Sequence, residues 1–135
     1  MITKEKMLPL LIEICPSFSE KWQEHQQEYK AEEAFLPYVA LGAFASHLVE
    51  LYKQSQTNEF EKVFEVVEKL HIEGDDFVKE AATIGLLESL QNHAEHNSIS
   101  HEAFEKYLHS VSAKYWKELN KFWNGEIKYV GQSFN

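Results

Sequence analysis

Residues Phe60–Asn92 read FEKVFEVVEKLHIEGDDFVKEAATIGLLESLQN, and their apolar periodicity constrains the chain more than any other feature. Phe60, Val63, Phe64, Val67 and Leu70 recur at the spacing of one face of an amphipathic helix. Gly74 suits a left-handed residue after a helix end, and Asp75 suits the N-cap of the next helix. The stretch therefore predicts a helical hairpin. Its second helix is expected to turn Phe77, Ala81, Ile84 and Gly85 inward, and Ala81–Leu87 is apolar nearly all round, as in a central helix. Ala81 and Gly85, both small, would let a neighbour approach closely.

Polar residues interrupt these core faces. His71 follows Val67 by four inside the first stripe, and Glu88 lies in the middle of the second arc with Asn92 four residues on. A carboxylate on a core face must be paired, hydrogen-bonded or protonated. Counting levels back through the preceding loop brings His47 and Glu50 within about one turn of Glu88. Glu68, His71, Glu88, Gln91, Asn92 and His47 thus form a candidate polar belt whose expected role is to fix helix register.

The remaining chain reads as further helices. Thr3–Cys15 carries Met7, Leu8, Leu11 and Ile12, with Pro9 starting or bending it. Ser17 and Glu20 make a capping-box pattern for a second helix that buries Phe18, Trp22 and Tyr29. Pro37 suits the first position of a helix reaching Gln54, and Asn58 with Glu61 repeats the capping box. His93–Ser100 is polar and reads as a loop, and two helices follow over about Ser100–His109 and Ser112–Asn124. The expected fold is all-α: a single-domain bundle of about six or seven antiparallel helices, allowing stacked hairpins. It spans residues 1–125, with a short non-helical tail, 126–135, as a strand or an arm on the bundle.

Charge narrows the function classes. The net charge is −9, and all thirteen basic residues are lysine. Phosphate and guanine recognition draw on clustered positive charge and on arginine, so a nucleic-acid surface is not expected. No apolar run approaches the roughly twenty residues of a membrane span, and no cleavage signal follows the N-terminal MLPLLIEIC, so a cytoplasmic location is expected. Cys15 is the single cysteine, which excludes an internal disulfide and argues against a thiolate zinc site.

Motifs for chemistry are incomplete. Glu68-Lys-Leu-His71 matches one Glu-x-x-His element of a di-iron bundle, which needs two, and there is no second copy. In an antiparallel hairpin His71 and Glu88 stand roughly 15 Å apart along the axis, too far to share a metal. His93 and His96 are a weak metal signal, and Gly74-Asp75-Asp76 lacks the lysine and hydroxyl of a phosphate loop. No catalytic residue, cofactor or metal is expected. Glu20, Glu24, Glu28 and Glu32 recur every four residues, with Glu33 beside them, as an acidic ridge that suits a basic protein partner.

The run from Phe64 to Asn92, with PSF at Pro16–Phe18, LPY at Leu36–Tyr38 and FWNG at Phe122–Gly125, resembles a family of small bacterial helical proteins of unknown function. Some members resemble immunity proteins that accompany secreted or contact-delivered toxins. The resemblance implies a helical binding protein and transfers no catalytic residues. Three readings stand: a non-enzymatic module that binds a basic protein such as a toxin domain; a small enzyme or metal protein built on Glu68, His71 or Glu88; and a homo-oligomer subunit. The third would show an exposed aromatic patch around Trp116, Trp123 and Tyr129.

Overall fold

The computed structural model describes residues 1–25 and 36–134. Among these the chain is an all-α single domain of seven helices with no strand. In order they are α1 (Lys4–Ile14), α2 (Pro16–His25), α3 (Leu36–Lys53), α4 (Phe60–Glu73), α5 (residues 76–96), α6 (Glu102–Glu105) and α7 (Ser110–Trp123), and Gln132–Phe134 adds a 3-10 turn. Helix α5 is one rod in three parts: Asp76–Glu80 and Glu88–His96 are α-helical, and Ala81–Leu87 between them is π-helical.

The hairpin α4–α5 forms as its periodicity predicts. Phe60, Val63, Phe64, Val67, Leu70 and His71 are all buried on α4, and the Asp75 carboxylate accepts the Val78 N–H at 2.9 Å as an N-cap. Helix α3 lies along the π-helical and following parts of α5, and α1 and α7 pack on α4. Gly85 permits the α3 approach, because a Cβ there would stand 2.9 Å from Leu41 Cδ1 and 3.1 Å from Tyr38 Cδ1. Phe18, Phe44, Phe60, Phe64, Phe104 and Trp116 fill the interior. Truncating one such ring to Ala typically costs about 3–5 kcal/mol.

Several local expectations are corrected. Gly74 is extended, with φ −70° and ψ 154°, so handedness does not select it. Space does: a Cβ would meet the Leu70 carbonyl oxygen and stand 2.6 Å from Val78 Cγ1. The N-terminus pairs at this corner, with Ile2 N–H donating to Glu73 O at 2.8 Å and Asp75 N–H donating to Ile2 O at 2.9 Å. Pro16, not Ser17, opens α2, where its missing N–H costs nothing. The residue before α4 is Glu59, which makes no side-chain cap, so the Asn58 capping box does not form.

Helix α5 also continues to His96, overriding the expected loop. Asn97 Nδ2 donates to His93 O at 2.7 Å, left-handed Ser98 (φ 56°) turns the chain, and Ile99 N–H reaches back to Ala94 O at 2.8 Å. These bonds satisfy carbonyls that a helix end leaves bare. Ile84 leaves the core arc and is 36% exposed. The π stretch holds more residues per turn than the α-helix, which shifts register across it. Trp116, expected in an exposed patch, is fully buried.

Candidate functional site

Two polar clusters sit against the core. In the first, α4 places Glu68 and His71 beside the start of α7. Glu68 accepts the Val111 N–H at 3.0 Å, the Ser112 N–H at 2.8 Å and the Ser112 hydroxyl at 2.8 Å. It supplies from another helix the cap that α7 lacks in its own sequence, since His109 makes no side-chain cap. Burial pushes the Glu68 carboxyl up, but these donors outweigh it and hold it below the ordinary range.

His71 lies behind that cap. Its Nδ1 stands 2.9 Å from the Val67 carbonyl oxygen, which can only accept, so Nδ1 carries the proton. Nε2 then accepts from the Thr83 hydroxyl at 3.0 Å, while Ser112 Oγ stands 3.2 Å from Nδ1. The imidazole stacks on Tyr115 at 5.1 Å. Burial depresses its pKa, partly opposed by the Val67 bond and by Glu68. It is a neutral ring that ties α4 to the π stretch and to α7.

The second cluster joins α2, α3 and the residue before α4. Ser17 Oγ lies 2.6 Å from Glu59 Oε2 and 2.8 Å from His47 Nε2, and Cys15 Sγ donates to the same Glu59 oxygen at 3.0 Å. With its single proton on the carboxylate, Ser17 accepts from His47 Nε2–H. A Ser–His nucleophile needs the opposite polarity, with histidine taking the serine proton. His47 Nδ1 is buried without a partner among the described residues, where a triad would place its orienting acid. Burial, with the neighbouring Glu59 carboxylate adding to it, pushes the Cys15 thiol up to about 12. The thiol is therefore protonated and unreactive at neutral pH.

Around α7 the chemistry is of two kinds. Glu118, 2% exposed, receives the C-terminal arm through Gly131 N–H at 3.2 Å and Ser133 N–H at 2.9 Å, with Lys121 Nζ 3.9 Å away. Burial raises its pKa, and the arm's donors and Lys121 bring it below the ordinary value. On the other side of the arm a cleft of about 710 Å³ opens between α5, α7 and residues 128–130. Glu80, Ile84 and Glu88 of α5 line it, together with Tyr115 and Phe122 of α7 and Tyr129 of the arm. Burial raises the Glu88 carboxyl, with no compensating donor or cation among the described residues.

A family model described as "Domain of unknown function (DUF7674)" matches residues 8–124. The chain belongs to the DUF7674 family. No curated protein and no solved structure matches it. The DUF7674 match takes in the helices of both clusters and stops short of the arm and of Ile2.

The expected belt is divided in this DUF7674 chain. Glu68 and His71 meet at Ser112, His71 also reaching Thr83, and His47 belongs to the Ser17–Glu59 cluster instead of facing Glu88. Gln91 is buried, donating to Trp116 O at 3.2 Å, with its Oε1 unpartnered. Asn92 is exposed on α5. Its carbonyl accepts from His96 Nδ1, which turns that ring back on its own helix. Among the described residues no three histidine, cysteine or acidic side chains are grouped to hold a metal ion. No helix among them is long and apolar enough to cross a membrane.

Glu20 and Glu24 are exposed on α2, while Tyr29, Glu28, Glu32 and Glu33 lie outside the described residues. Sequence reasoning took Ser17 for a helix cap only and overlooked Glu59, Ser112 and Glu118. Only Glu118 carries a local signal, three residues after Tyr115 and four before Phe122 on one helix face. Ser17 and Glu59 meet across 42 positions, and no local pattern announces that.

Proposed function

We propose that this chain is a non-enzymatic protein-binding module that docks a basic protein partner in the cytoplasm, as an immunity-type inhibitor docks a basic toxin domain. The observation that carries the reading is the engagement of the clustered polar groups in holding the fold. Glu68 caps α7, Glu118 anchors the arm, and Ser17 spends its proton on Glu59. These groups are thus bound to backbone or to one another, and Glu88 is the cleft carboxylate left without such a partner among the described residues. What remains outward is charge, −9 overall, with Glu20 and Glu24 exposed on α2. A surface of that sign steers a basic partner and speeds its encounter.

The test is capture from the native lysate by the tagged chain, at low and then high salt. The reading expects a stoichiometric basic protein whose recovery falls in high salt. Recovery of the chain alone would overturn it. Self-assembly has one observation in its favour, since Phe122, Trp123 and Tyr129 are 36%, 55% and 54% exposed close together at the end of α7 and in the arm. Light scattering of the purified chain decides it: a constant oligomer across dilution supports assembly, and a monomer rejects it.

A further inference from the structure

We propose that the cleft between α5, α7 and the C-terminal arm receives a lysine side chain of a basic protein partner. The inference rests on the partner-binding reading above and gives it a place and a chemistry. Asp76, Glu80, Ile84 and Glu88 all line the cleft at four-residue intervals along α5. In an α-helix that spacing winds around the axis by about 40° per step. The wider turns of the π stretch Ala81–Leu87 oppose this drift, in keeping with all four residues reaching the cleft. The same register shift delivers Ile84 to the cleft and directs Gly85 at α3.

Beside the acids, three rings line the cleft, Tyr115 and Phe122 from α7 and Tyr129 from the arm. A lysine has a hydrocarbon stem that covers apolar surface and an ammonium that is attracted to carboxylates and to ring faces. The stem fits along Ile84 and the rings, and the ammonium reaches Glu88 or Glu80. Glu88 is half-buried and no cation among the described residues pairs with it, so an incoming ammonium replaces hydration the carboxylate has already lost. An anionic occupant would instead stand beside three carboxylates. Lys79 and Lys128 also line the cleft and are exposed, and three acids against two lysines leave it one charge negative. At about 710 Å³ the space exceeds one side chain and admits the flanking residues of a peptide.

The experiment is an NMR titration of the full-length labelled chain with a blocked tetralysine peptide, with tetraglutamate as control, at low salt. Tetralysine is expected to shift signals of residues 76–88, Tyr115, Phe122 and Tyr129, while tetraglutamate leaves them in place. Glu88→Gln, the same size without the charge, is expected to weaken tetralysine binding about tenfold. Tyr129→Ala, on the exposed arm, weakens it several-fold and serves as a second reading that does not depend on α5. Shifts confined to α2, with both variants binding as the parent does, would overturn the cleft and leave the basic-partner reading standing. No tetralysine binding anywhere on the chain would overturn both.

Discussion

Glu59, Glu68 and Glu118 share one arrangement: each carboxylate receives at least one backbone N–H from another segment of the chain. Their folded pKa values lie below the ordinary 4.5, so they stabilise the fold above that pH. That stability is lost as pH falls through the folded values. Glu68→Ala, which strips the cap from α7, is expected to cost about 1–2 kcal/mol in a urea titration at neutral pH. An unchanged midpoint would show that the cap contributes nothing. Glu88 has the opposite sign. Its folded pKa is raised, so its ionised form weakens the fold at neutral pH and protonation relieves the cost as pH falls through the folded value. Glu88→Gln is expected to raise Tm at neutral pH and to lose that advantage in acid. A lower Tm at neutral pH would mean that the carboxylate has a partner in the fold.

Helix positions were legible where a single helix decides them. The α4 stripe, the Asp75 N-cap and the Ala81/Gly85 approach all depend on neighbours three or four residues away, and periodicity reports such neighbours directly. The misreadings came where another segment intervenes. Ser17 and Asn58 looked like caps, yet the Ser17 hydroxyl is drawn to Glu59 and His47. The inward arc of α5 was drawn for an α-helix, and the π stretch rotated Ile84 out of it. Gly74 sits at the expected corner for a different physical reason, since the Leu70 carbonyl oxygen and Val78 crowd it while its φ is ordinary. Gly74→Ala is therefore expected to destabilise by about 1–3 kcal/mol through overpacking. Calorimetry that finds the variant equally stable would contradict the packing account, because relief of glycine's chain entropy alone would stabilise it.

For the whole molecule, titration and charge set the behaviour. His47 and His71 have folded pKa values below 6.5, because burial disfavours their charged forms. Stability is thus expected to begin falling as pH drops below about 6.5, where the unfolded chain takes up protons that the folded one refuses, before the carboxylates add their loss below 4.5. A flat Tm between neutral pH and 5 would contradict neutral buried rings. The candidate site was legible as residue types and not as a constellation: Glu68 and His71 were singled out, but their partners Ser112 and Thr83 come from two other helices. Polar groups inside hold the fold, and the acidic groups outside are proposed to meet a basic partner. The most direct measurement is the association rate with the captured partner across an ionic-strength series, for the parent and for Ser17→Ala. The account predicts a rate that falls steeply with salt and is the same for both chains. A rate indifferent to salt, or one abolished by Ser17→Ala in a folded protein, would contradict it.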